Sequence, residues 1–366
     1  MKRILIFLLL LSFVGIPGVA GSATTLMEKE SGTILSEENA HDKLEPASVT
    51  KVMTLLLIFE ALDQGQLTRE DTVSVSQAAA GMGGSQVYLK EGEQMSVHEM
   101  LKAIAVASGN DASVAMAEHL AGSEAGFVEK MNARAAELGM ADTTFQNCTG
   151  LPAEGHESSA HDIAVMSREL ILKHPAVREY TTIWMDTLRE GKFQLANTNK
   201  LIYYYNGATG LKTGSTDTAH YCLSATAERD GMELIAVVLG FPTSVARFER
   251  AKALLNDGFA NYAMVDVRPS EAIPPVLVGL GVRDCIQPEL TNESRILMKK
   301  ANIGHITTEL SIVDSVEAPV EKGQTLGTMT VSVNGEVYDT LPLVALEAIA
   351  RMTTGQIFKE FLAQIF

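Results

Sequence analysis

The hydrophobic pattern of this chain changes period along its length, and those changes constrain the fold more than any single motif does. Residues from about 24 to 45 hold "TLMEKESGTILSEEN", two short strand-like runs around Ser31-Gly32. From "PASVTKVMTLLLIFEAL" onward, through Ser96 to His119, Glu124 to Leu138 and "SSAHDIAVMSRELILKH", apolar residues recur at helical spacing. Ser159 and Asp162 form a capping-box-like start to the last of these helices. After Gly210 the period shortens: "AHYCLSATAERDGMELIAVVLGF" reads as two strands joined at Arg229-Asp230-Gly231, with a helix from about Ser244 to Tyr262 behind them. Strands early and late with helices between predict an α+β domain over 24–265 whose terminal strands pair in one antiparallel sheet. Around "VDVRPSEAIPPV" proline density rises and the helical period ends, which places a boundary near residue 266. "HITTELSIV" and "TMTVSVNGEVYDTLPLV", with a hairpin turn at Asn334-Gly335, make residues 266–342 a small β-rich domain.

The two ends bear on location. Lys2 and Arg3, an apolar run from Ile4 to Val14, and small residues through Ala23 read as a signal peptide over 1–23, cleaved near Ala23. A membrane span needs about 20 apolar residues, and this run is shorter and broken by Gly15 and Pro17. The mature chain is therefore expected outside the cytoplasmic membrane. Its three cysteines, Cys148, Cys222 and Cys285, are odd in number and far apart, so they read as buried small hydrophobes rather than a disulfide framework. In the tail, 343–366, Ile357, Phe358, Phe361, Leu362, Ile365 and Phe366 share one helical face. That face either lies on a membrane surface or docks on the β-rich domain; its polar side, with Arg351 and Lys359 against Glu347 and Glu360, is not basic. A formal charge of −16 without a basic patch excludes nucleic acid as a partner.

Three short strings carry chemistry. "SVTK" puts Ser48 and Lys51 one helical turn apart, within reach of each other as a nucleophile and its base, although serine is also an ordinary helix cap. "SGN" gives Ser108 and Asn110, a hydroxyl for proton relay and an amide for fixing a substrate amide. "KTG" gives Lys212, Thr213 and Gly214 at the head of a strand. For Lys51 to act as a base near pH 7 its pKa must fall by about 3 units, through desolvation and a second cation, for which Lys212 is the candidate. Backbone N–H groups, Ser48's among them, should form an oxyanion hole. S-x-N recurs at Ser332-Val333-Asn334 on a hairpin turn, so one string alone is weak. S-x-x-K, S-x-N and K-T-G in this order form the signature of penicillin-recognising serine acyltransferases.

With these motifs the chain resembles the low-molecular-mass penicillin-binding proteins that act as serine D-alanyl-D-alanine carboxypeptidases. "PASVTKVMTLLL", "GSQVYLKEGEQMSVHEMLKAIAVASGNDASVAMAEHLAGS", "NTNKLI", "GATGLKTGSTDTAHYCLSATA" and "APVEKGQTLGTMTVSVNGEVYDTLPLVA" all look like segments of that family, in order. The resemblance implies a β-lactamase/transpeptidase-like domain, an antiparallel sheet with helices on both sides, followed by a β-rich second domain and an amphipathic membrane-associating helix. It implies a peptidoglycan stem peptide ending in D-Ala-D-Ala as substrate, β-lactams as covalent inhibitors, and no cofactor or metal. Ser48 is then the acylated residue, Lys51 the base, Ser108 and Asn110 the second motif, and Lys212-Thr213-Gly214 the strand that aligns substrate. Ser215 should give the second oxyanion N–H, and Arg247 in "SVARFER" should help bind the terminal carboxylate. Two departures stand out: Ser215 is smaller than the aromatic or histidine common there, and His220 replaces a usual glycine.

Rival readings use the same residues. A class A β-lactamase needs a glutamate for the deacylating water, and no E-x-x-L-N string follows Asn110, leaving Glu154 and Glu157. An endopeptidase would differ in cleft shape. A zinc peptidase could draw on His156, His161 and Asp162 in "GHESSAHD" but lacks a third ligand at recognisable spacing. A non-catalytic wall-binding protein would be expected to lose Ser48 or Lys51.

Overall fold

The protein is described here from a computed structural model, which describes residues 21–269, 271–290 and 294–365, the side chains as far as residue 362. The run read as a signal peptide lies, up to residue 20, outside the described residues. Two compact units divide the chain: residues 1–227 with 234–255, and residues 228–233 with 256–366.

In the first unit, β1 (Ala23–Glu28) and β2 (Ile34–Glu38) form a hairpin. A 3-10 turn, Ala47–Thr50, leads straight into α1 (Lys51–Asp63). Then come α2 (Val97–Ala105), α3 (Asn110–Ala121), α4 (Ala160–Lys173) and the short α5 (Leu201–Tyr204), followed by β3 (Ala208–Thr216), β4 (His220–Arg229), β5 (Met232–Phe241) and α6 (Ser244–Asn261). The five strands make one antiparallel sheet in the order β2-β1-β5-β4-β3. The expected closure of early strand on late strand is therefore present: Leu26 faces Ala236 and Thr24 faces Val238. β5 is buried along almost its whole length, as a central strand covered on both faces must be. Its hairpin with β4 turns at Asp230 and Gly231, both at positive φ, as the Asp-Gly dipeptide predicts.

α1 is buried nearly all round, which is why its sequence is apolar on every side rather than amphipathic. α4 starts as its sequence implies, with Ser159 Oγ accepting from Asp162 N at 3.1 Å. The helical pattern from Ser96 to His119 is interrupted: α2 and α3 are separate, because the chain turns back at Ser108, whose φ is +63. That break puts the second motif at the mouth of α3 instead of mid-helix.

The second unit is dominated by a β meander in which Ile306–Ile312 pairs with Thr325–Val333 and that strand with Glu336–Ala345. The turn between the last two falls at Asn334 and Gly335, both at positive φ. All three cysteines are free. Cys148 and Cys222 are buried as expected, but Cys285 is exposed: on its short strand the alternation of faces gives the buried side to Ile286. The terminal helix, Thr354–Ile365, leaves Phe358, Phe361 and Leu362 exposed. No helix among the described residues is long and apolar enough to cross a membrane.

Candidate active site

All three motifs meet in the first unit. Ser48 sits in the 3-10 turn and Lys51 opens α1, so the i, i+3 spacing brings Lys51 Nζ to 3.0 Å from Ser48 Oγ. Lys51 is fully buried, and two further acceptors surround its amine: Asn110 Oδ1 at 2.6 Å and Thr149 O at 2.7 Å. Those two are carbonyl oxygens and can only accept. When Lys51 loses a proton, its two remaining N–H groups stay with them, and the lone pair is left facing Ser48. Burial pushes the Lys51 ammonium down to about 7 from its ordinary 10.5, against the opposing pull of Asp111. The sequence reading gave the charge of Lys212 a share in this shift; burial is the main cause, and the repulsion between the lysines bears on Lys212.

β3 runs alongside the Ser48 turn. Gly214 has to be glycine there, since a Cβ would stand 2.8 Å from Ser48 N and 2.9 Å from Pro46 O, both backbone atoms. Lys212 is buried and donates to Thr213 O at 2.9 Å. Its pKa is held well below the ordinary lysine value by burial first, then by the charges of Lys51 and Arg247. Thr213 Oγ1 donates to Thr198 Oγ1 at 2.7 Å, which joins "NTNKLI" to the strand, and Ser215 is exposed just beyond.

Arg247 is not a solvated helix cation. It is 6% exposed and reaches from α6 to the sheet, where Nη1 donates to Gly214 O at 3.0 Å and to Cys222 O at 3.1 Å. Gly214 and Cys222 are cross-strand partners, so one guanidinium clamps β3 to β4 at the site. Burial lowers its pKa to about 10. Lys212 and Arg247 thus place two basic side chains beside Lys51 in a largely desolvated region, a setting suited to a ligand carrying a carboxylate.

Ser108 Oγ is buried without a hydrogen-bond partner. Asn110 differs from expectation: its Oδ1 is taken by Lys51, and its Nδ2 donates to Gly83 O at 2.7 Å. Both ends of the amide are engaged within the protein, so here it orients Lys51 and the 83–85 segment instead of presenting a free amide. His220 has φ +53, the left-handed conformation in which a glycine would be unstrained, which explains the glycine usual at this position.

Several residues support the site in ways the sequence did not indicate, among them His156, which it offered only as a zinc ligand. His156 Nδ1 accepts from Gln146 N at 3.0 Å, so its proton is on Nε2, which donates to Thr50 Oγ1 at 2.8 Å beneath the Ser48 turn. Desolvation lowers His156 to about 4, and it stays neutral. Gly150, at φ +80, lies so close to the turn that a Cβ would overlap Ala47 O. Asp111 accepts from Val87 N and Leu89 N and ties α3 to the 85–89 segment. His156, His161 and Asp162 do not assemble as a zinc-peptidase ligand set, because both ring nitrogens of His156 are engaged in these bonds.

Sheet, helices and motif geometry together define a serine acyltransferase of the penicillin-recognising type. Residues 14–243 match the family model described as D-alanyl-D-alanine carboxypeptidase, and residues 278–351 match the C-terminal domain of penicillin-binding protein 5. The chain is 44% identical to the D-alanyl-D-alanine carboxypeptidase DacF of Bacillus subtilis over 89% of its length and 85% of the relative's. Penicillin-binding protein 5 from Haemophilus influenzae superposes with a TM-score of 0.77 at 29% identity, covering 92% of this chain and 100% of the other. Penicillin-binding protein D2 from Listeria monocytogenes, solved in an ampicillin-bound form, matches 65% of this chain and 96% of its own at 34% identity and a TM-score of 0.60. The chain belongs to the D-alanyl-D-alanine carboxypeptidase family.

Proposed function

We propose that this protein is a serine-type D-Ala-D-Ala carboxypeptidase that trims the terminal D-alanine from peptidoglycan stem peptides through an acyl-enzyme on Ser48. The observation that carries the assignment is the set of three contacts around Lys51. Neutral Lys51 takes the proton of Ser48 Oγ as that oxygen attacks the carbonyl of the penultimate D-alanine. The N–H of Ser48, and that of Ser215 on the adjoining strand, receive the developing oxyanion. Collapse breaks the C–N bond, and the departing D-alanine amine takes a proton routed through Ser108, whose unpartnered hydroxyl fits a relay that is completed when substrate arrives. Lys51 then activates water to hydrolyse the ester, and Ser48 is restored. Lys212, Thr213 and Arg247 favour a substrate that ends in a carboxylate, as a C-terminal D-alanine does.

β-Lactams react along the same path and stay bound, since the nitrogen expelled from a strained ring remains tethered to the acyl group. A β-lactamase reading has less support. Glu157 is paired with Lys43 at 3.1 Å and Glu154 is an exposed turn residue, so neither contacts Ser48 or Lys51. Intact-mass spectrometry with and without penicillin, on wild type and Ser48→Ala, together with D-alanine release from a peptide ending in D-Ala-D-Ala, tests the assignment. An adduct that forms without Ser48, or folded protein that releases no D-alanine, would overturn it.

The same proposal covers location. The chain is exported by the signal run, and the expected end of that run at residue 23 moves to the N-terminal side of Ala23, because Ala23 already pairs with Leu239 in β1 and its removal would shorten the strand. The terminal helix lies on the outer face of the membrane through Phe358, Phe361 and Leu362; its 12 residues span about 18 Å, too short to cross a hydrocarbon core of about 30 Å. Mass spectrometry of the exported chain and vesicle co-sedimentation of Phe358→Glu/Phe361→Glu test these points. Undiminished sedimentation of the double variant would refute the membrane assignment.

A further inference from the structure

Away from the acylation site, the fold of the first unit brings two histidines and two carboxylates to one surface. His41 stands in the loop after β2, and His161 lies in the first turn of α4, its backbone N–H donating to Ala40 O at 3.0 Å. Their imidazole rings stack with centroids 4.6 Å apart and planes inclined by 29°. Each ring sets Nδ1 against a carboxylate: His41 Nδ1 is 2.8 Å from Asp142 Oδ2, and His161 Nδ1 is 3.0 Å from Glu37 Oε1. One donor atom from each of Glu37, His41 and His161 lies within 4.8 Å of the other two.

We propose that Glu37, His41 and His161 form a binding site for a zinc-class divalent cation, with Asp142 orienting His41. Asp142 at His41 Nδ1 holds the proton there and leaves the Nε2 lone pair outward, which is how metal-binding histidines are commonly held, whereas at His161 the ion would replace the proton between Nδ1 and Glu37 Oε1. An ion centred among the three donor atoms needs each to close in by less than about 1 Å to reach bonds of about 2.0–2.2 Å. His41 and Glu37 have 63% and 36% of their side-chain surface exposed, so small rotations supply that movement. Two imidazoles and a carboxylate favour zinc, copper or nickel over calcium and magnesium, which prefer all-oxygen shells.

The site's place in the fold defines its role. Residues 39–46 lead from β2 to the Ser48 turn, and Leu44 bridges to Ser158 while Thr144 bridges to Glu157. A bound ion would fasten the same three segments at a second point, a few residues from His156, which supports Thr50. It touches no reacting atom and acts as a structural bolt on the scaffold of the nucleophile turn.

The test uses the full mature chain without an affinity tag, freed of metal by chelation and titrated with zinc chloride against a chromophoric chelator. One zinc per chain is expected, with affinity lowered about 10–100-fold in His41→Gln and in His161→Gln and unchanged in His305→Gln. Zinc at about 100 times the wild-type dissociation constant should raise the melting temperature of the wild type by about 5 °C and that of the two site variants by only about 1–3 °C. Matching melting temperatures of the metal-free proteins establish that the variants fold. Substoichiometric zinc, affinity unchanged in both site variants, or equal uptake of magnesium would overturn the proposal and reduce the cluster to two surface ion pairs. Penicillin acylation of the chelated enzyme should match that of the zinc-loaded form, and a loss on chelation would refute the purely structural role.

Discussion

The pH dependence of acylation tests the central chemistry most directly. If Lys51 is the base, only its neutral form activates Ser48. An ordinary lysine at pH 7 is neutral in about 1 molecule in 3,000, whereas a group lowered to about 7 is neutral in half of them, a gain of about 10³ in active form. The second-order rate of acylation by a fluorescent penicillin should therefore rise about tenfold per pH unit below 7 and level off above it. Lys51→Arg, which cannot lose its proton at any of these pH values, should cost about 10²–10⁴ in rate while retaining a cation. Stability carries the opposite face of the same shift. Below pH 7 both folded and unfolded chains hold the lysine proton, and the fold bears the full cost of the buried charge. Between about 7 and 10.5 only the unfolded lysine remains charged, so this group's contribution grows more favourable as pH rises, by about 5 kcal/mol across the window. Stopped-flow acylation from pH 5.5 to 9 decides the matter. A profile flat through pH 7 that climbs only towards pH 10 would refute Lys51 as the base, as would a Lys51→Arg variant that acylates at the wild-type rate.

Other parts of the site give sharper single-residue tests. Gly214→Ala forces a methyl against Ser48 N and Pro46 O and should cost about 1–3 kcal/mol in stability together with at least a tenfold loss of acylation; wild-type acylation would show that β3 does not bear on the turn. His156 is neutral when folded and ordinary when unfolded, so its contribution is complete above about pH 6.5 and falls as pH drops towards 4, by about 3 kcal/mol. His156→Gln should flatten that part of the stability curve in thermal unfolding, and an unchanged slope would argue against it. Arg247→Ala should raise KM for a D-Ala-D-Ala peptide about tenfold or more, an effect of about 1.5–3 kcal/mol, and should also loosen the clamp between β3 and β4. An unaltered KM would leave Arg247 with the structural role alone.

Much of the architecture could be read from local pattern because local physics set it. The Asp230-Gly231 and Asn334-Gly335 turns, the Ser159 cap and the apolar run of α1 each depend on residues a few positions apart, and each stands where the chain implies. The pairing of Ser48 with Lys51 is of the same kind, being one helical turn. The order of the three motifs carried the chemistry, because the reaction requires those side chains whatever surrounds them. What the chain could not show in one dimension is which distant groups complete them. Thr149 O and Asn110 Oδ1 decide that the Lys51 lone pair points at Ser48, and burial rather than the charge of Lys212 decides its pKa. The left-handed Ser108, the exposure of Cys285, the clamp of Arg247 and the meeting of His41 with His161 across more than a hundred residues of chain also belong to tertiary structure. Burial, solvent exclusion and through-space contact depend on how elements pack, and the spacing of residues along a chain specifies them only through the finished fold.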